Sequence, residues 1–279
     1  MHIYTFYQVL LLKDIFSPSI YLCIHLQLKK ALLIVDRGSR EPDVRQELEQ
    51  ICLLAKQRAD YCHVDYSFLE VVPPYIAEGI SQCMAAGASF ITVMPYFLYP
   101  GMKLKDTVKE SAKISRDRNL KLAITKPLSY HPMMMQLIID RVNQLKRSRR
   151  IGYADKECDV VLIGHGSSDK NAREAFVYAA NAIAPYYRNV EFCFLELDRP
   201  NIEEGIRRAV AGNPHVVLVM PYFLHKGAHI KRDVVTDLDA ALHKYNFENA
   251  YMGHHLGVDE KLVDIILERA TEVENRFGI

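Results

Sequence analysis

The sequence contains two similar stretches in tandem, and this duplication constrains the fold more than any other feature. Residues 64–80 read VDYSFLEVVPPYIAEGI, and residues 190–206 read VEFCFLELDRPNIEEGI. Residues 93–105 (VMPYFLYPGMKLK) match residues 219–231 (VMPYFLHKGAHIK) at the same separation of 126 positions. Similar sequences fold similarly, so we expect two copies of one structural unit.

The two copies differ at polar positions. The first copy opens with LIVDRGSR and the second opens with LIGHGSSD. At two aligned positions the first copy has Arg37 and Lys103, whereas the second copy has His165 and His229. Since only the second copy carries imidazoles at these positions, we predict a single active site, formed mainly by the second copy.

The composition is that of a globular protein without a strong charge bias. Of the 279 residues, 49% are hydrophobic and 25% are charged, and the net charge is +1. This balance gives no reason to expect nucleic acid or a membrane as a partner. The cysteines are scattered without a CxxC pair, which does not support a zinc ribbon or an iron–sulfur site. We expect reduced thiols and a cytoplasmic location.

Each copy alternates short apolar runs with longer helical patterns. Runs such as ALLIV, VVLIG and VVLVM are continuously apolar, as in parallel strands that are covered on both faces. The predicted strands are residues 31–36, 64–70, 90–96, 121–125, 159–164, 190–196, 216–222 and 250–253. The predicted helices include residues 41–59, 73–86, 171–187 and 202–211. This alternation predicts an α/β fold of two tandem doubly wound parallel-sheet domains.

The duplication also predicts the domain organisation. We expect a first α/β repeat with a degenerate site over residues 31–148 and a second with the catalytic histidines over residues 158–279. A basic, polar linker is expected over residues 146–157. Residues 1–30 stand outside the duplication, and we predict no role for them. Because the duplication already supplies a pseudo-dimer, we expect a monomer.

Three polar residues of the second copy follow or end predicted strands. His165 follows the first strand within GHGS, Glu196 ends the second strand, and His229 follows the third. Ligands of open parallel sheets bind at the carboxyl ends of the strands. We therefore predict a cluster of two imidazoles and one carboxylate. Gly166 permits a tight turn and a close approach of a large ligand to the backbone.

Further histidines lie on the same predicted edge. His225 stands four residues before His229, either as a secondary ligand or as polar lining. His254 and His255 follow the last strand, and the sequence leaves open whether they line the site. Ordinary surface or turn positions are expected for His2, His25, His63, His131, His215 and His243.

These motifs resemble those of a known family. GHGS after the first strand, FLE at the end of the second, and PYFLHKGAHIKRD after the third are similar to the class II tetrapyrrole chelatases. In particular, the chain resembles the long, fused CbiX/SirB-type sirohydrochlorin chelatases over nearly everything after Lys30. The resemblance implies ATP-independent insertion of Co²⁺ or Fe²⁺ into sirohydrochlorin, in cobalamin or siroheme biosynthesis. The metal is then a substrate, and no permanently bound cofactor is expected.

The resemblance assigns the site to three residues. The family's two histidines map onto His165 and His229, and its strand-end acid maps onto Glu196. Metallation requires loss of the pyrrolic protons, and an imidazole with a pKa of about 6.5 accepts protons and binds iron or cobalt. We expect both histidines to hold the metal and accept protons, while Glu196 orients one imidazole or relays protons. Which histidine performs which task stays open.

A substrate with many carboxylates requires local positive charge. We favour Arg37 and Lys103, because they replace site positions and a cation pairs with a carboxylate but not with a divalent metal. The full set of predicted substrate contacts is Arg37, Lys103, Gly166, Ser167, Lys226 and Arg232.

Two other functions are compatible with the sequence. A non-catalytic tetrapyrrole or metal carrier would bind its ligand even after loss of His165 and His229. An unrelated α/β enzyme with His165 as a general base on an anionic substrate would show no tetrapyrrole affinity and would not require His229.

Overall fold

A computed structural model describes residues 28–227 and 230–279, which form eight β-strands alternating with eight α-helices. The first copy comprises β1 (Lys30–Asp36), α1 (Pro42–Arg58), β2 (His63–Phe68), α2 (Ile76–Ala85), β3 (Phe90–Pro95), α3 (Met102–Asp117), β4 (Leu122–Ile124) and α4 (Pro132–Arg149). The second comprises β5 (Asp159–Gly164), α5 (Lys170–Ile183), β6 (Asn189–Phe194), α6 (Ile202–Ala211), β7 (Val217–Pro221), α7 (Val235–Lys244), β8 (Ala250–Met252) and α8 (Glu260–Glu274). None of these helices is both long and apolar enough to cross a membrane.

Two parallel sheets organise the chain. The strand orders are β2-β1-β3-β4 and β6-β5-β7-β8, and all paired strands run parallel. Leu32 and Ile34 belong to a buried cluster with α1, whereas Leu33 and Val35 belong to another with α2, so helices cover both faces of β1. Double coverage explains the continuous apolar runs. The predicted α/β fold with two doubly wound parallel sheets is confirmed.

The last helix of each copy packs against the sheet of the other copy. Helix α4 contacts α5, β7 and β8, and helix α8 contacts α1, β3 and β4. One buried cluster accordingly contains Leu137 and Val142 of α4 together with Leu218 of β7. Full burial of an aliphatic side chain contributes about 1.5–3 kcal/mol, so this exchange ties the two copies firmly together.

The exchange also changes the predicted linker. Residues 146–149, expected in a solvated connection, form the last turn of α4. The physical reason is that Leu145 is buried in the shared core, which keeps the end of the helix on the second sheet. Lys30, expected in the extension, is the first residue of β1, and residues 1–27 lie outside the described part of the chain.

A buried carboxylate fixes α8 against the first sheet. Glu274 accepts hydrogen bonds from Lys30 Nζ, the Tyr61 hydroxyl and Thr92 Oγ1, each at 2.7 Å. A buried charge is tolerated where several donors satisfy it. Lys30 begins β1, so this anchor lies toward the amino ends of the strands and leaves the carboxyl ends to the candidate site.

Candidate functional site

The site lies where the strand order of the second sheet reverses. Strands β6 and β7 flank β5 on opposite sides, and ligands of open parallel sheets bind at such a reversal, beyond the carboxyl ends of the strands. His165 directly follows β5, and residues 222–227 follow β7. The Tyr222 amide donates to the carbonyl of Ile163 at 2.8 Å, which continues the pairing of the two strands up to this edge.

His165 and Glu196 form the first contact of the site. His165 Nε2 lies 3.2 Å from Glu196 Oε1, and the Glu196 amide donates to the His165 carbonyl at 3.0 Å. The side chains are 27% and 48% exposed, so the pair is open to solvent. Two segments that are distant in sequence are thus joined through both backbone and side chain.

The position of Glu196 differs from the prediction in one respect. The sequence predicts Glu196 as the last residue of its strand, but β6 ends at Phe194. The chain turns at this point, because Leu197 has a positive φ of 63° and Asp198 forms an ion pair with Arg173 of α5. Glu196 therefore stands on a turn beyond the strand, and this turn directs its carboxylate toward His165.

The backbone conformation at residue 166 requires a glycine. Its φ is +92°, and a Cβ at this position would lie 1.7 Å from the carbonyl oxygen of Glu196. Only glycine fits such a conformation without strain. The adjacent Ser167 Oγ accepts a hydrogen bond from the Asp169 amide at 3.1 Å, and Asp169 caps α5. Gly166 therefore permits the close approach of the Glu196 turn, and its contact with a ligand stays a prediction.

The equivalent place in the first copy holds three charged side chains. Arg37 Nε lies 2.9 Å from Glu70 Oε1, and Lys103 Nζ lies 2.7 Å from Glu70 Oε2. The Glu70 amide donates to the Arg37 carbonyl at 3.0 Å, which repeats the contact between Glu196 and His165. The hydrogen bond from Lys103, followed by that from Arg37, lowers the pKa of Glu70. Glu70 therefore is the counterpart of Glu196 and is held as a carboxylate.

Glu70 was not identified from the sequence as a site residue. The signal was available, because the tripeptide FLE occurs in both copies. Its pairing changes the interpretation of Arg37 and Lys103, which are predicted to contact substrate. Both cations already contact a carboxylate of the protein, so a substrate carboxylate would have to share them with Glu70.

Three other predicted site residues lie along the segment after β7. Lys226 and Arg232 are exposed, and His229 lies outside the described residues. Within residues 28–227 and 230–279, no group of three or more His, Cys, Asp or Glu side chains is arranged to hold a metal ion. The predicted set of His165, Glu196 and His229 is therefore described only for its first two members, and its roles stay predictions.

The segment after β7 also crosses to the first copy. His225 Nδ1 lies 2.6 Å from Glu47 Oε2 of α1, and His225 Nε2 lies 3.4 Å from Asp36 Oδ2 at the end of β1. His255 Nε2 lies 2.8 Å from Glu47 Oε1. The sequence left His225 as a ligand or as polar lining; in the structure it bonds the second copy to the first. His254 is exposed.

Opposing effects set the protonation of this group, which we call the junction cluster (Asp36, Glu47, His225 and His255). Burial acts to raise the pKa of Glu47, but the hydrogen bonds and charges of His225 and His255 outweigh it and lower the pKa to about 2. Burial acts to lower the pKa of His225, but Asp36 and Glu47 raise it to about 9. At neutral pH Glu47 is therefore ionised and His225 is protonated.

Both copies are similar to known proteins. The family model described as CbiX matches residues 31–145 and again residues 159–273. A sirohydrochlorin cobaltochelatase of Priestia megaterium is 26% identical over 247 residues, which are 87% of this chain and 79% of that protein. A sirohydrochlorin ferrochelatase of Bacillus subtilis is 25% identical over 260 residues, which are 90% of this chain and 95% of that protein.

A solved structure has the same fold as this chain. SirB from Bacillus subtilis with Fe³⁺ has a TM-score of 0.78 and 25% sequence identity, and the alignment covers 90% of this chain and 98% of that one. The similarity therefore extends over both sheets.

Proposed function

The chain belongs to the CbiX family, and on this premise we propose that it inserts Co²⁺ or Fe²⁺ into sirohydrochlorin without ATP. Cobaltochelatases and ferrochelatases both occur among its relatives, and imidazole and carboxylate groups do not choose between the two metals. The metal is a substrate, and the proposal includes no permanently bound cofactor. We propose a monomer that acts in the cytoplasm, in cobalamin or siroheme synthesis.

The observation that carries the proposal is the contact between His165 and Glu196 at the carboxyl edge of the second sheet. Metal insertion releases the pyrrolic protons of the macrocycle. A proton taken by the His165 imidazole can pass to Glu196, whose side chain is 48% exposed and can release it to water. The same carboxylate stabilises the imidazolium that forms and fixes the orientation of the ring.

We assign metal binding to His165 and His229. The assignment of His229 rests on its sequence position, which aligns with Lys103 of the first copy. Two divisions of labour are compatible with these residues. Either His165 accepts protons while His229 binds the metal, or both bind the metal first and the protons leave through Glu196.

The first copy supplies positive charge in this proposal. Two cations surround the single carboxylate of Glu70, so the group of Arg37, Lys103 and Glu70 has an excess of one positive charge. An acetate or propionate group of the substrate can pair with one of the two cations and neutralise this excess charge. The remaining proposed substrate contacts are Gly166, Ser167, Lys226 and Arg232.

Anaerobic absorbance spectroscopy tests the function. Sirohydrochlorin is mixed with Co²⁺ or with Fe²⁺ and with wild-type protein, His165→Ala or His243→Ala. His243 is an exposed histidine in the last turn of α7 and serves as the matched control. We expect metal-dependent spectral conversion faster than the reaction without protein, loss of this acceleration in His165→Ala, and full activity in His243→Ala.

The outcomes separate the three functions. Binding of sirohydrochlorin without acceleration for either metal would refute the chelatase and favour a carrier. Absence of binding would refute both and favour an unrelated enzyme with a different anionic substrate. Full activity of His165→Ala, equal to that of His243→Ala, would show that His165 takes no part in the reaction.

A further inference from the structure

The junction between the two copies is charged on one side and apolar on the other. His225 aligns with Tyr99, whose ring lies 6.3 Å from that of Phe176 and 6.1 Å from that of Tyr222. His225 packs against α1, where it contacts Glu47, and Tyr99 packs against α5. The residue of α5 that aligns with Glu47 is the buried Ala175. The same fold therefore holds one junction through ion pairs and the other through aromatic packing.

The charged junction belongs to the loop that precedes the predicted imidazole in the sequence. His225 lies in residues 222–227, which we call the site loop, and His229 follows two residues after this loop in the sequence. The apolar junction belongs to the first copy, which has Lys103 in place of that histidine. The second copy thus supplies both the charged junction residue, His225, and the predicted site residue, His229.

One carboxylate of the first copy holds two loops of the second. Glu47 Oε2 contacts His225 of the site loop, and Glu47 Oε1 contacts His255 of the loop after β8. These loops also bond to each other, because the amides of Leu256 and Gly257 donate to the carbonyls of Phe223 and Leu224 at 2.9 and 3.1 Å. The site loop is therefore fixed through Glu47 on one side and through the neighbouring loop on the other.

The residues around Glu47 restrict the orientation of the His225 imidazole. The side chains of Glu47, His225 and His255 are only 18%, 12% and 13% exposed. Asp36 faces the second nitrogen of His225, and the Tyr96 ring lies 5.8 Å from the imidazole. Nearby, Arg141 of α4 pairs with Asp259 at 3.1 Å and donates to the Leu256 carbonyl at 3.0 Å. A buried imidazolium between two carboxylates has a fixed orientation, whereas aromatic packing permits small displacements.

We propose that Glu47 is a positioning residue for the site of the second copy, which holds the site loop in place through His225 and His255. Among the described residues, the Glu47 carboxylate contacts His225 and His255, so we assign its effect to the loop that these residues hold. Its effect on turnover rests on the proposed function, whereas its effect on the loop does not.

Glu47→Gln tests the proposal, since glutamine keeps the shape of the side chain and removes its charge. The matched control is Glu49→Gln on the same helix, because Glu49 is exposed and contacts only the Tyr66 hydroxyl among the described hydrogen bonds. We expect Glu47→Gln to lower kcat about 10–100-fold, the usual effect of losing an orienting partner. The KM for sirohydrochlorin should change by no more than about twofold, because substrate binding is not removed.

Amide hydrogen exchange reports the loop without reference to activity. The Leu256 and Gly257 amides exchange faster if the site loop moves away, whereas the Leu128 amide, which donates to Phe97 in the first copy, serves as an internal reference. We expect faster exchange of the first two amides in Glu47→Gln, with Leu128 unchanged and with wild-type rates in Glu49→Gln. The kinetics are measured well below the unfolding temperatures, so that the folded fraction does not affect kcat.

A second variant checks that Glu47 acts through His225. If the two side chains form one unit, Glu47→Gln combined with His225→Gln should lower kcat no further than either single substitution. Independent losses that multiply would overturn the proposal.

The results separate this proposal from the proposed function. Wild-type kcat in Glu47→Gln, or unchanged exchange of the Leu256 and Gly257 amides, would overturn the positioning role. Absence of chelatase activity in the wild type would remove the proposed function, and the exchange rates alone would then decide whether Glu47 holds the loop.

Discussion

Gly166 offers a sharp test of how the backbone places the candidate site. In Gly166→Ala the new Cβ would lie 1.7 Å from the carbonyl oxygen of Glu196, and real Cβ atoms do not approach closer than 3.0 Å. The Glu196 turn must therefore retreat by roughly 1 Å, a displacement that can cost about 100-fold in rate at a catalytic group. A φ of +92° is also unfavourable for alanine, and such strain costs about 1–3 kcal/mol.

Gly38→Ala is the matched variant in the first copy. Gly38 has a φ of +101°, and its Cβ would lie 2.1 Å from the carbonyl oxygen of Glu70. We expect both variants to lose similar stability, about 1–3 kcal/mol in urea denaturation. Their kinetics should differ: Gly166→Ala lowers kcat about 100-fold, because it displaces the partner of His165. Gly38→Ala should leave kcat close to the wild-type value and change only the KM for sirohydrochlorin, because it displaces Glu70, which both positions Arg37 and Lys103 and competes with the substrate for them.

Steady-state chelatase kinetics at a temperature where both variants are folded distinguish these effects. Equal losses of kcat in the two variants would refute the assignment of chemistry to the second copy. Wild-type kcat in Gly166→Ala would show that the position of Glu196 does not matter for turnover.

Three further predictions concern charge. Lys103→Ala should raise the KM about fivefold at unchanged kcat, the effect of losing roughly 1 kcal/mol of an exposed ion pair, and an unchanged KM would contradict a substrate contact. The stabilisation that comes from the lowered pKa of Glu47 is complete above about pH 4.5 and is lost as the pH falls toward its folded pKa of about 2. The stabilisation that comes from the raised pKa of His225 is complete below about pH 6.5 and is lost as the pH rises through its folded pKa of about 9. Thermal unfolding across this range should therefore depend less on pH in Glu47→Gln than in the wild type, and parallel profiles would contradict the coupling. Glu274→Gln should lower the free energy of unfolding by about 3 kcal/mol in urea denaturation and leave kcat unchanged; a kcat loss would link this anchor to the site.

Much of the fold could be predicted from the sequence because the central strands of each sheet, β1, β3, β5 and β7, are buried on both faces. The run at residues 159–164 is continuously apolar except at its ends, and it forms β5 with these bounds. The run at residues 31–36 forms β1 with one additional residue, Lys30. The exchange of α4 and α8 could not be predicted, since an apolar helix face fits its own sheet and a duplicated sheet equally well.

The candidate site could be predicted in part. The rule that ligands bind at the carboxyl ends of strands brings His165 and Glu196 to one edge, and the structure places them 3.2 Å apart. Glu70 could have been found from the repeated FLE. Glu47 could not, because it lies on a helix of the other copy, and only the packing of the two copies brings it to His225.

The most direct test of a single active site in the second copy compares His165→Ala with Arg37→Ala. The measurement is the anaerobic rate of Co²⁺ insertion at saturating sirohydrochlorin, followed by absorbance. We expect the rate of His165→Ala to fall to that of the reaction without protein, while Arg37→Ala retains nearly the wild-type kcat. A larger loss in Arg37→Ala than in His165→Ala would contradict a single active site in the second copy and assign the chemistry to the first copy.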